Sequence, residues 1–146
     1  MSKLFTLEEA QRLIPEVDRL LRSAIDAKAD YESAERSIQE QNERIMLMGG
    51  IVVNRERALE VKTRRESAAA ILRNAVESVQ QLGCQVKDLD TGLIDFPTSF
   101  RGVEVCLCWK LGENGISWWH GMEEGFRGRK PIDQDFLDHH TGGGDQ

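Results

Sequence analysis

The side chains best suited to binding a metal ion or moving a proton lie in the second half of the chain: Asp90, Asp95, Glu113 and His120. Three carboxylates with one imidazole suit a divalent metal such as Mg, Mn, Fe or Zn. Each residue also has an ordinary structural use, because Asp90-Thr91-Gly92 is typical of a turn and a histidine can donate to a carbonyl. If a site exists, we expect His120 to be at least partly buried and within reach of Glu113 or Asp95.

Tryptophans and basic residues close to these groups indicate where a small ligand could bind. Trp109, Trp118 and Trp119 fall within one predicted strand pair, where two would pack in the core and one could form a pocket wall. Arg129 lies in a glycine-rich segment with other cations and could hold an anion. We therefore name Trp109, Trp119 and Arg129 as candidate ligand-binding residues. The alternative is core packing for the rings and surface pairing for the cation.

The cysteine pair Cys106-x-Cys108 depends on the register of a predicted hairpin. Asn114-Gly115 is typical of a two-residue type I′ turn, which pairs Trp109 with His120. Both thiols would then lie on the face opposite His120, and a shared Cys/His metal site is disfavoured. Only a three-residue loop would bring them together, so buried structural cysteines are the favoured interpretation.

The elements that carry these residues are predicted from periodicity and turn signals. Alternation with a period of two indicates strands at 84–89, 93–96, 103–111 and 116–122, the second ended by Pro97. Residues 7–82 have apolar spacings of three and four, with Gly49-Gly50 at a bend, and predict an antiparallel helical hairpin. The fold class is α+β, a long antiparallel helical hairpin followed by a small antiparallel sheet of three to four strands. We predict one domain over 1–136, comprising the hairpin at 7–82, the sheet at 84–122 and an extension at 123–136, then a flexible tail at 137–146.

Local signals mark the helix ends. Thr6 followed by Glu9 is a capping-box pattern, and Asn54 can cap the return helix. Pro15 predicts either a kink or the start of a second helix. The hairpin should project beyond the sheet, and its bend carries a run of apolar side chains: Ile45, Leu47, Met48, Ile51 and Val52. Such a patch favours contact with a second copy of the chain, so we predict a homo-oligomer formed through the hairpin.

Composition excludes several classes of protein. The 146 residues carry a net charge of −6, most of it in the sheet half, and this argues against a nucleic-acid partner. No apolar run approaches the roughly 20 residues of a membrane span. Three cysteines without disulfide-like spacing favour a reducing cytoplasm.

Several motifs together resemble a bacterial family catalogued as domain of unknown function 2203. The resemblance covers roughly residues 4–132 and is carried by the runs 5–10, 87–97, 108–113, 119–120 and 125–131. It implies a small cytoplasmic protein with the helix-then-sheet order and brings no established activity, catalytic residue or cofactor. From the residues themselves, we predict a small-ligand or divalent-metal binding protein with its site in the sheet half. The alternative is a homo-oligomeric helical interaction module without catalysis.

Overall fold

The computed structural model describes residues 3–47 and 54–143. It confirms the α+β class, with a helical hairpin followed by an antiparallel sheet. The sheet has six strands rather than three to four, because two strands of two residues each join it. The elements in chain order are α1 (Leu7–Leu47), α2 (Arg55–Gln81), β1 (Gln85–Asp88), β2 (Leu93–Phe100), β3 (Val103–Lys110), β4 (Trp118–Gly121), β5 (Lys130–Pro131), α3 (Gln134–His139) and β6 (His140–Thr141), with a 3-10 turn at Phe126–Gly128.

The chain forms two compact units. The sheet unit combines the start of α1, up to Leu21, with the chain from Val76 onward, and the hairpin unit is Arg22–Ala75. Small apolar residues are buried in both helices of the hairpin unit: Ala24, Ala27, Ala34, Val61 and Ala68. Arg65 of α2 donates to Glu35 of α1 at 2.9 Å.

Both predicted helix caps form. The Thr6 N–H donates to Glu9 Oε1 at 2.8 Å, and the Glu9 N–H donates to Thr6 Oγ1 at 3.1 Å. Each side chain therefore satisfies a backbone N–H that the helix cannot pair internally. The Arg57 N–H donates to Asn54 Oδ1 at the start of α2. Pro15 neither splits nor ends α1, which continues through it.

The sheet is antiparallel in the order β1-β2-β3-β4-β5, with β6 also paired to β2. Pro97 was expected to end the second strand, yet β2 continues to Phe100. The reason is that the N–H and C=O of one strand residue point to the same side. The Pro97 carbonyl accepts from the Phe5 N–H at 2.7 Å and therefore points away from β3. An N–H at position 97 would point the same way, so its absence removes no hydrogen bond between β2 and β3.

One sheet face forms the core of the sheet unit. Phe96 meets Phe5 edge to face at 5.4 Å, and these rings pack in one cluster with Val17 and Leu21 of α1. On β3, Leu107 and Trp109 belong to the same cluster. Successive side chains on a strand point to opposite faces, so the residues between these belong to the second face of the sheet.

The register between β3 and β4 differs from the prediction. His120 pairs with Cys106 rather than with Trp109, a shift of three residues. An odd shift moves every side chain to the other face. The Asn114-Gly115 segment does not form the two-residue turn, since β3 ends at Lys110 and β4 begins only at Trp118. Between them, the Ile116 N–H donates to Gln11 Oε1 at 3.1 Å.

The chain after residue 137, predicted to be a flexible tail, is structured as far as 143. It completes α3 and adds β6, where Phe100 pairs with His140. His140 Nε2 accepts from the Leu7 N–H at 3.1 Å and so caps the first turn of α1. Gly142 lies so close to the start of α1 that a Cβ there would be 2.5 Å from the Thr6 nitrogen.

The predicted apolar bend is only partly described. Ile45 and Leu47 end α1, whereas Met48, Ile51 and Val52 lie outside the described residues. Within 3–47 and 54–143, none of the helices combines the length and the apolar character that crossing a membrane requires.

Candidate metal centre

Three metal-binding side chains meet on the second face of the sheet. Asp95 of β2, Cys106 of β3 and His120 of β4 each direct one donor atom to a point where all three atoms lie within 4.8 Å of one another. Their relative exposures are 1%, 2% and 3%. Three neighbouring strands thus supply a carboxylate oxygen, a thiol sulfur and an imidazole nitrogen, the three donor types that zinc and its neighbours accept.

The contacts of His120 determine which ring nitrogen faces the cluster. Its Nδ1 lies 2.7 Å from the Gly121 carbonyl, so Nδ1 must carry a proton and donate. Its Nε2 lies 3.0 Å from Asp95 Oδ1, which confirms the expectation that His120 is buried beside Asp95. The carbonyl fixes the ring in the way that outer partners orient metal-binding histidines. Nε2 and the carboxylate hold a proton between them, at the position a metal ion could take.

Cys106 is a protonated thiol in the absence of a metal. Burial, and then the negative charge of Asp95, raise its pKa to about 12. A nucleophilic cysteine needs a lowered pKa or a base free to take its proton. Both ring nitrogens of His120 already face oxygen atoms, so the arrangement does not activate Cys106 for attack. A bound cation would instead stabilise the thiolate directly.

Glu113, predicted as a metal ligand, takes part in a separate ion pair. Arg129 donates to both of its carboxylate oxygens, at 2.7 and 2.9 Å. Burial alone would raise the pKa of Glu113, but hydrogen bonds from Arg129 and the Lys110 N–H leave it below its usual value. Arg129 also donates to the Cys108 sulfur at 3.4 Å and lies over the Phe126 ring. Arg129, predicted to bind an anion, therefore binds groups of the protein itself.

The remaining predicted residues lie away from this cluster. Asp90 is exposed in the turn after β1, where its N–H donates to Asp88 Oδ1. Trp109 is completely buried and its indole N–H donates to the Glu113 carbonyl, so none of its surface can meet a ligand. Trp119 packs against Phe100 at 5.1 Å in an aromatic cluster of the sheet unit. The structure therefore brings together two of the four predicted metal ligands, Asp95 and His120.

Cys106 is the ligand that sequence reasoning set aside. Its exclusion depended on the two-residue turn. The observed register reverses that conclusion, because Cys106 and His120 are direct cross-strand partners on the same face. The usable signal was the spacing Cys106-x-Cys108 before a strand that contains a histidine. Because the two cysteines are two positions apart, both thiols lie on one face of the strand whatever the turn. A loop that differs from two residues by an odd number places His120 on that same face.

Comparison with known proteins places most of the chain in one family. A family model described as "Uncharacterized conserved protein (DUF2203)" matches residues 3–132. The match spans the start of α1 to just beyond β5 and includes all three residues of the cluster. No curated protein and no solved structure matches the chain significantly.

Proposed function

The chain belongs to the DUF2203 family of uncharacterized conserved proteins, and from the geometry of its sheet we propose that it binds a transition-metal ion through Asp95, Cys106 and His120. The observation that carries this proposal is the convergence of three different donor atoms, all from buried side chains, within 4.8 Å. Buried polar groups are costly unless they pair or coordinate a metal. The donor set favours a transition metal that accepts nitrogen and sulfur, such as zinc or copper, over magnesium or calcium, which prefer oxygen alone.

The spacing of the donors is close to that of a metal site. Ligands at about 2.1 Å from a tetrahedral ion lie roughly 3.4 Å apart. The Nε2–Oδ1 separation is 3.0 Å, so these two atoms would have to move apart by only a few tenths of an ångström. Three protein ligands leave one position of a tetrahedral ion for water or another donor, which is the arrangement of zinc sites that act on substrates.

Metal binding should release protons, because the cluster holds protons where the ion would sit. The Cys106 thiol must lose one, and the proton between His120 and Asp95 must also leave. We therefore expect about two protons per zinc ion at neutral pH. Calorimetric titration in buffers of different ionisation enthalpy measures this number. A value near zero would show that the ion binds elsewhere.

Substitutions identify the ligands. Protein purified without added metal should take up one equivalent of zinc or cobalt, and the cobalt form should show a sulfur-to-metal charge-transfer band. Asp95→Asn, Cys106→Ser and His120→Gln should each weaken binding at least about tenfold. Matched controls are Asp90→Asn, an exposed carboxylate, and Cys84→Ser, a buried thiol bonded to a backbone carbonyl. The proposal would be refuted if the control variants lost as much metal affinity as the site variants. It would also be refuted if all three site variants still bound a full equivalent of metal.

A second candidate function is self-association through the hairpin unit. Met46 and Leu47 are 82% and 88% exposed at the end of α1, and Leu59 near the start of α2 is also exposed. Burying such side chains contributes about 1.5–3 kcal/mol each before the cost of association. We propose a homo-oligomer formed by this surface. Replacing Met46 and Leu47 with Asp should give a folded monomer in sedimentation, while Val103→Asp, an exposed residue of the sheet unit, should not. A parent already monomeric at high concentration would exclude this candidate.

We also propose a cytoplasmic location. The support is that all three cysteines are free and buried, as is typical of proteins in a reducing compartment.

A further inference from the structure

A fourth donor lies beside the cluster. The Met122 sulfur is 3.5 Å from Cys106 Sγ, with the thiol directed at the thioether. Met122 immediately follows β4 and is 48% exposed, although its sulfur contacts the thiol of the buried Cys106. A methionine that only filled space in the core would be covered on every side. Met122 instead contacts the cluster and is also exposed to solvent.

The turn that carries Met122 is held by several contacts. The Gly121 N–H donates to Glu124 Oε1 at 2.8 Å, and the Glu124 N–H donates to the Gly121 carbonyl at 3.1 Å. Lys130 pairs with the Glu124 carboxylate from β5. The Gly121 carbonyl also accepts from the His120 ring. One turn thus orients the imidazole and positions the thioether.

The sulfur–sulfur distance fits two ligands of one ion. With metal–sulfur bonds of about 2.3 Å, two sulfurs on a tetrahedral ion lie roughly 3.8 Å apart, a few tenths of an ångström more than the observed 3.5 Å. Thioethers are soft donors that bind copper and contribute little to zinc, manganese or magnesium. A thiolate, a thioether and an imidazole together form a set suited to Cu(I), the form of copper expected where thiols stay reduced. The Asp95 carboxylate supplies negative charge beside the ion.

From this juxtaposition we infer that the site takes copper, as Cu(I), and that Met122 is the ligand that selects it over zinc. The inference rests on the proposed metal site and names its metal. Without Met122 the remaining donors form an ordinary zinc site, so the thioether determines selectivity rather than the existence of the site.

The test compares two metals in matched variants. Cu(I) affinity is measured anaerobically, with a reductant, by competition with a chromogenic Cu(I) chelator, and zinc affinity by competition with a zinc indicator. Met122→Leu keeps the size of the side chain and removes the sulfur. It should weaken Cu(I) binding about tenfold or more and change zinc affinity less than about threefold. X-ray absorption of the Cu(I) form should lose one of two sulfur ligands. Met46→Leu, an exposed methionine of the hairpin unit, is the control and should change neither affinity.

The outcomes separate this inference from the proposed function. In one outcome, Cys106→Ser abolishes metal binding, but Met122→Leu either leaves the Cu(I) affinity unchanged or lowers the Cu(I) and zinc affinities equally. The metal site would then stand, and the role of Met122 would be refuted. If Cys106→Ser and His120→Gln bind both metals as well as the parent does, the proposed site itself is wrong. Circular dichroism of Met122→Leu confirms that the fold is intact, as its half-exposed position predicts.

Discussion

The ion pair between Arg129 and Glu113 should be among the largest polar contributions to the stability of the sheet unit. The two side chains are 11% and 27% exposed and share two hydrogen bonds, at 2.7 and 2.9 Å. Replacing Arg129 with Met removes both bonds and leaves a partly buried carboxylate that still accepts from the Lys110 N–H. Breaking a buried pair costs about 3–5 kcal/mol. Because Glu113 retains some contact with water, we expect about 2–3 kcal/mol.

A double-mutant cycle isolates the interaction from packing. Urea unfolding of the parent, Arg129→Met, Glu113→Gln and the double variant should give a coupling of about 1.5–2.5 kcal/mol. Tryptophan fluorescence follows the relevant unit, because all three tryptophans lie in the sheet unit. The control cycle uses Glu8 and Arg12, an exposed helical pair for which about 0.2–0.5 kcal/mol is expected. A coupling no larger than that of the control would refute our assignment of a stabilising role to the pair.

The same pair predicts how stability changes with pH. The pKa of Glu113 is lower in the folded protein than its ordinary value of 4.5, so the unfolded chain binds a proton more readily. Its contribution is therefore complete above 4.5 and is lost as the pH falls through the lower folded value. The stability difference between the parent and Glu113→Gln should shrink over that range. A difference that stays constant down to strongly acidic pH would contradict the lowered pKa.

Three further predictions concern groups outside this pair. Gly142→Ala should destabilise the sheet unit by at least about 1 kcal/mol in thermal melts, because the added Cβ would lie 2.5 Å from the backbone nitrogen of Thr6. Gly125→Ala is the control and should be near neutral, because a Cβ there has no atom within 4 Å. His140→Ala should lower the free energy of unfolding by about 1 kcal/mol, because it removes the acceptor of the Leu7 N–H. If the loss is no larger than that of His139→Ala, at an exposed position, a capping role for His140 is excluded. The three buried cysteines should react with a thiol reagent only as fast as the protein opens, so rapid labelling of the native protein would contradict their burial.

Much of the fold could be predicted because its causes are local. The capping box of Thr6 and Glu9 and the cap at Asn54 are contacts between residues three apart, and both form as expected. Helical periodicity identified a buried seam in each helix, and period-two alternation located the four longer strands within a few residues. These features depend on hydrogen bonds and side-chain spacing within one segment, which the order of residues specifies directly.

The site depended on contacts between distant parts of the chain. In the segment between β3 and β4, the Ile116 N–H donates to Gln11, which is 105 residues away. Arg129 binds Glu113 from 16 residues away, and that carboxylate does not belong to the cluster with His120. Sequence alone determined which residue types could bind a metal and which strands carry them. Only the tertiary structure decided which of them meet, because an odd shift in register exchanges the two faces of a strand. The observed shift of three residues brings Cys106 to the same face as Asp95 and His120.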